Sequence, residues 1–186
     1  MAAKGSRSGW EIEDLAAEGP FPEFREKLSL FGQFVGDWDI LETRYPKADG
    51  SETRARGEIH VRWILEGRGV QDTFSTIEEE TGKVVPAGTT IRFYDPGLDA
   101  WHCVWISPQQ RVVQLFIAKG VGKEIVLEGR TPDGKSPEKW TFSDITSDEF
   151  RWRSEESHDG GKTWVLTEEM KVRRRLCGPA GSSQSR

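Results

Sequence analysis

The chain has 186 residues, enough for one domain around one core, and its net charge of −5 comes from acidic and basic residues mixed along the whole length, which argues against a nucleic-acid footprint. Only 35% of residues are hydrophobic and 31% are charged, so apolar side chains must be used economically. A one-sided antiparallel sheet does this by alternation, whereas a two-layer α/β core would need more of them.

Residues 1–19 are expected to form a flexible segment and 177–186 a disordered tail, which leaves 20–176 as a single domain. Residues 1–9 are small and polar, without the apolar run of a secretory signal or a membrane span, and two cysteines, Cys103 and Cys177, suit a reducing compartment. The expected location is therefore cytoplasmic. Pro20 and Pro22 stand where a helix can begin, and Phe21, Phe24, Leu28 and Phe31 recur at helical spacing up to Gly32 or Gly36. So short a helix is not stable alone and must lay its aromatic stripe on an apolar surface, as a core cap or as a lid over a ligand.

Strand-like segments then follow at 38–45, 53–65, 68–79, 89–95, 99–107, 111–119, 123–130, 138–145, 150–157 and 162–173. Turn chemistry bounds them, for example Asp49-Gly50, Pro96-Gly97, Pro132-Asp133-Gly134 and Asp159-Gly160. Connections this short exclude crossovers, so consecutive strands pair as neighbours and sheet twist brings the last round to the first. The expected fold is all-β: an antiparallel up-and-down meander barrel of about ten strands with one N-terminal capping helix. Arg173-Arg174-Arg175, near the end of the last strand, reads as a solvated terminus.

Alternation assigns the faces. Ile59, Val61, Trp63 and Leu65 share an inward phase, out of step with Arg56, Glu58, His60 and Arg62. Trp101, Cys103 and Trp105 share one side of their strand, as do Phe150 and Trp152, and then Trp164, Leu166 and Met170. Eight tryptophans concentrate on this phase, and most of them pack as core. Three polar residues interrupt it: Asp72 between Val70 and Phe74, Gln114 between Val112 and Phe116, and Glu168 between Leu166 and Met170. Pointing into the lumen, each needs an arginine, a hydroxyl, water or a ligand, and bulges near Gly57, Gly67 or Gly69 would shift the phase. His60, His102 and His158 assemble no metal-ligand set, and Cys103 and His102 face opposite ways, so neither metal nor cofactor is expected. Val113, Leu115 and Ile117 place apolar residues on the outer face, which suits a homodimer.

The stretch Ser157-His158-Asp159-Gly160-Gly161-Lys162-Thr163-Trp164 resembles the Asp-box pattern, Ser-x-Asp-x-Gly-x-Thr-Trp. The resemblance implies a hairpin held by Asp and Ser/Thr side chains with the Trp beneath it, and a single copy makes it turn structure rather than part of a propeller. Gly36-Asp37-Trp38, the run from Arg62 to Arg68 (Arg-Trp-Ile-Leu-Glu-Gly-Arg), Phe93-Tyr94-Asp95 and Ala100-Trp101-His102-Cys103-Val104-Trp105 occur in that order. Over residues 31–173 the chain so resembles the calycin superfamily, and within it the lipocalin-like bacterial family DUF1579. This implies a barrel like those of fatty-acid-binding proteins or nitrobindin, with Trp38 sealing one end. A nitrobindin-type haem motif is not evident, so haem is not implied.

The leading functional expectation is a binding protein whose lumen takes a small, mainly hydrophobic molecule, with no nucleic-acid or membrane partner. The residues expected at that site are Trp63, Asp72, Phe74, Trp105, Gln114, Phe116, Trp140, Trp152 and Glu168. One alternative is a cofactor-independent enzyme of isomerase, cyclase or dehydratase type, with Asp72 or Glu168 as acid or base. The other is a structural or interaction protein with a filled barrel.

Overall fold

Pro22 opens a single 3-10 turn, Pro22–Phe24, that runs directly into the helix α1, Arg25–Gly32. In the computed structural model, which describes residues 16–175, this is the one α-helix. The tail expected from Cys177 onward and most of the expected N-terminal segment lie outside the described residues. Leu28 and Phe31 are the buried face of α1, and Phe31 meets Trp101 edge-on at 5.0 Å and Phe142 at 6.0 Å. The aromatic stripe therefore caps a barrel end.

Ten strands follow: β1 (Gly36–Pro46), β2 (Glu52–Ile64), β3 (Gly69–Ile77), β4 (Val84–Asp95), β5 (Ala100–Ser107), β6 (Val112–Val121), β7 (Glu124–Arg130), β8 (Pro137–Ser143), β9 (Glu149–Glu156) and β10 (Val165–Arg174). Each pairs antiparallel with its neighbours in sequence, and β10 pairs with β1 to close the barrel. The meander is the one expected from the short turns. Strand β4 begins earlier than its alternation suggested, because Val84 and Val85 pair with Ile77 and Thr76; Pro86 is accommodated beside a register irregularity between Phe74 and Ser75.

At the α1 end the interior is filled. Trp38 is fully buried, its indole Nε1 donates to the Phe34 carbonyl at 2.7 Å, and its ring meets Phe150 at 4.9 Å. It seals this end as the family resemblance implied.

Of the arginines at the end of β10, Arg173 and Arg175 are exposed, as a solvated terminus would be, whereas Arg174 is half-buried. Arg174 lays its guanidinium on Trp38 at 4.0 Å and donates to the carbonyls of Gln33, Val35 and Ser147 at 2.8, 2.9 and 2.6 Å. Arg175 bonds Asp39 through Nε at 2.9 Å and Glu58 at 2.8 Å, and Arg173 bonds Glu149. Barrel closure carries β10 to the end of α1, where carbonyls without intrahelical partners need donors. Gly36 is required at this clamp: its φ is +138°, and a Cβ would lie 2.5 Å from Arg174 Nη1.

A second correction concerns β10. The register slips between Leu166 and Glu168, so Leu166 pairs with the outward Glu155 while Glu168 pairs with the inward Ser154. Leu166 and Trp164 consequently leave the inner row they were expected to share with Met170. The Trp164 ring lies instead under the Lys139 ammonium at 4.3 Å, next to the outer Lys139–Glu155 pair. The preceding turn is held by Asp159, which accepts from the Lys162 and Thr163 amides at 2.9 and 2.8 Å, while Ser157 Oγ accepts from Gly161 at 2.7 Å. No helix among the described residues is long and apolar enough to cross a membrane.

Candidate functional site

Away from α1 the inward rows change character, from closely packed Phe, Leu and Val to large indoles separated by polar side chains. These do not fill the barrel, and a cavity of about 350 Å³ remains. Phe31 and Phe34 bound it on the helix side. Trp105, Trp140 and Trp152 line one flank as a chain of edge-to-face contacts, with centroids 6.4 and 5.3 Å apart and planes at 76° and 66°. Phe74 meets Trp105 at 6.1 Å and lines it too.

Of the residues expected at the site, Asp72, Phe74, Trp105, Gln114, Trp140, Trp152 and Glu168 line this space, and Trp63 and Phe116 do not. The Trp63 ring is spent on α1, packed where Gly32 has no side chain. Phe116 fits against the bare backbone of Gly129 and stacks behind Trp140 at 4.1 Å, so it supports the wall from outside the cavity.

The polar groups fall into two sets. In the first, Asp72 pairs with Arg92 at 2.5 Å and accepts the Thr90 amide at 3.0 Å; their side chains are 11% and 7% exposed. The Arg92 guanidinium lies 5.1 Å from the Phe31 ring, and its Nε has no partner. Cys103 neighbours this pair, and burial pushes its thiol up to about 12, which keeps it protonated and unreactive.

In the second set, Glu138 accepts from Trp140 Nε1 at 2.7 Å, Ser154 Oγ at 3.0 Å and Gln114 Nε2 at 2.5 Å. All three donors are neutral. Burial raises its carboxyl above the usual range against the pull of those hydrogen bonds. Glu168 is pushed up to about 7, chiefly by burial and further by the Glu138 charge, with the Tyr45 hydroxyl drawing it back down. Burial and the Glu168 charge in turn hold the Tyr45 phenol well above its ordinary value. A carboxyl of this kind, facing open space, can exchange a proton near neutrality or bind a cation.

Tyr45, Arg92, Glu138 and Glu156 also line the cavity and were missed in the sequence. Glu138 shares parity with Trp140 and Phe142, so that signal was readable. Arg92 was hidden because β4 is inverted: Thr90 and Arg92 are buried, while Phe93 is 44% exposed. Only the pairing of Thr90 with Trp105 and Arg92 with Cys103 reveals this.

The histidines lie elsewhere. His60 bonds Asp37 at 2.7 Å and Glu58 at 3.2 Å, and His102 bonds Asp95 at 3.1 Å beside the stacked Phe93 ring. Among the described residues, no three His, Cys, Asp or Glu side chains converge so as to hold a metal ion.

No protein-family model and no curated protein sequence matches the chain. Solved structures do. Rv2717c from M. tuberculosis is similar with a TM-score of 0.57 at 14% identity, over 84% of this chain and 99% of its own. The S-type phycobiliprotein lyase CPES from Guillardia theta is similar with a TM-score of 0.55 at 12% identity, over 81% of this chain and 93% of its own. At such identities the likeness is one of fold, and the chain has a lipocalin-like barrel fold.

Proposed function

We propose that the protein binds a small, mainly apolar molecule in the barrel lumen, against Phe74, Trp105, Trp140 and Trp152, with Asp72, Gln114 and Glu168 as polar anchors. The observation that carries this reading is the cavity of about 350 Å³, which the side chains of one barrel half leave unfilled. A filled barrel would have supported a purely structural role instead. A fold shared with a phycobiliprotein lyase is in keeping with a barrel that takes a small ligand. We retain the resemblance to DUF1579 and the cytoplasmic location as part of the same proposal. Trp63 and Phe116 then serve the site indirectly, by fixing α1 and Trp140.

Native mass spectrometry of the purified protein is expected to show a non-covalent adduct that denaturation releases. The neutral fluorophore N-phenyl-1-naphthylamine is expected to quench the lumen tryptophans, and Trp105→Ala to weaken its binding by roughly tenfold. A chain free of adducts that also ignores the fluorophore would end the binding reading.

A second reading, acid–base catalysis without a cofactor, is favoured by one observation: the Glu168 carboxyl titrates at about 7 and faces the cavity. Asp72 is not a candidate for that role, since Arg92 neutralises it.

We further propose a homodimer through the outer face of β4 to β6. Val113, Leu115 and Ile117 are 64%, 69% and 38% exposed, and Ile91, Val104 and Leu115 lie side by side across the three strands. Light scattering after size exclusion is expected to give twice the chain mass, and Leu115→Lys to give the monomer. A monomeric wild type at high concentration would exclude the dimer.

A further inference from the structure

Strand register places the lumen carboxylates together. Glu138 of β8 is paired with Glu156 of β9, and Glu168 of β10 with Ser154 one inward position along β9. Next round the barrel, on β1, Tyr45 meets Glu168. Three acids and a phenol thus form one arc of the cavity wall. Among the described residues, the basic side chain lining the cavity is Arg92, and Asp72 of β3 already neutralises it.

Beside the arc, basic side chains of the same strands point outward and are engaged there. Arg44 pairs with Glu169, Lys139 with Glu155, Arg151 with Asp144, and Arg153 with Glu155. Glu138 is only 7% exposed and is held by neutral donors alone. A carboxylate this far from water lacks a counter-charge, and one supplied by a ligand gains the full attraction of a weakly screened site. The adjoining indoles stand at 76° and 66° to one another, as the walls of a partial aromatic cage do, and indole faces attract cations.

We propose that the lumen selects a small organic cation, an amine or quaternary ammonium on an apolar body, with its charge against the Glu138–Glu156–Glu168 arc and its body on Trp105, Trp140 and Trp152. This rests on the lumen-binding reading above and adds the sign of the ligand's charge. Glu168, Glu138 and Glu156 face the bound charge from β10, β8 and β9, Tyr45 from β1, and the neutral Asp72–Arg92 pair from β3 and β4. Binding holds Glu168 ionised, so it weakens as pH falls below neutrality.

The test uses three probes of one shape: 1-naphthylmethylammonium, 1-naphthylmethanol and 1-naphthoate, titrated by calorimetry at pH 8 into the full chain. The cation is expected to bind roughly tenfold or more tighter than the alcohol, with naphthoate weakest. Glu168→Gln and Glu138→Gln are each expected to remove most of that preference, read as the ratio of cation to alcohol affinity within each variant. Should Glu138→Gln fail to fold, Glu168→Gln and the wild-type preference carry the test. If the alcohol or naphthoate binds as tightly as the cation, the charge assignment is overturned and lumen binding stands. If none of the three binds while N-phenyl-1-naphthylamine still quenches the lumen tryptophans, the charge assignment falls and lumen binding stands; if that fluorophore is ignored too and no adduct is found, both fall.

Discussion

Arg92→Met is expected to destabilise the barrel by about 3–5 kcal/mol, the usual consequence of removing one partner of a buried ion pair. The carboxylate it abandons is nearly out of water, with the Thr90 amide at 3.0 Å as its remaining hydrogen-bond donor. The loss also strips a cation from the Phe31 ring, through which α1 is fixed to the barrel. The double variant Asp72→Leu/Arg92→Met is expected to recover most of the loss, because neither charge then needs solvation. It should fall short of wild type by about 1–2 kcal/mol, since the Thr90 amide loses its acceptor. Urea unfolding of the three proteins measures both effects. A single variant as stable as the double would mean that Asp72 is not carrying a buried charge.

That pair also shows where sequence reasoning stopped. Asp72 was legible because it interrupts a run of apolar inward residues. Its partner was not, because β4 reverses the usual preference and puts Ile91 and Phe93 outside. A local pattern cannot announce such an inversion, which is stabilised across strands by Asp72 and by the Trp105 and Cys103 rows. The ten strands were readable for the opposite reason: period-two alternation and turn residues act within a few positions of each other. Trp164 was misplaced by one extra residue in β10, a bulge with no glycine to mark it. The clamp made by Arg174 and Arg175 was hidden because Gln33, Val35, Asp39 and Glu58, which they bond, are more than a hundred residues away along the chain. Glu138 is different in kind. Its parity with Trp140 put it inside, and the buried charge there should have drawn notice as Asp72 did.

Glu168→Gln is expected to stabilise the ligand-free protein at pH 8 by up to about 3 kcal/mol and to leave it unchanged at pH 4. The wild-type carboxyl ionises at about 7 in the barrel and at its ordinary 4.5 when unfolded, so folding favours its protonated form. That contribution is complete below 4.5 and is lost as pH rises through 7. Above 7 the folded protein holds a desolvated charge near Glu138, relieved by the Tyr45 hydroxyl. Glutamine carries no such charge, so the variant's advantage grows from nothing at pH 4 to its full value by pH 8. In a domain of this size each kcal/mol corresponds to roughly 2–4 °C in melting temperature, so thermal scans across pH can follow it. An equal offset at both pH values would mean that the effect is packing and not ionisation. Glu138, whose carboxyl is also raised, keeps a residual slope of the same sign in the variant. The substitution that strengthens the empty barrel is also expected to remove most of its preference for a cation. A stability gain at pH 8 together with that loss identifies Glu168 as a group kept at a cost in stability for what it binds.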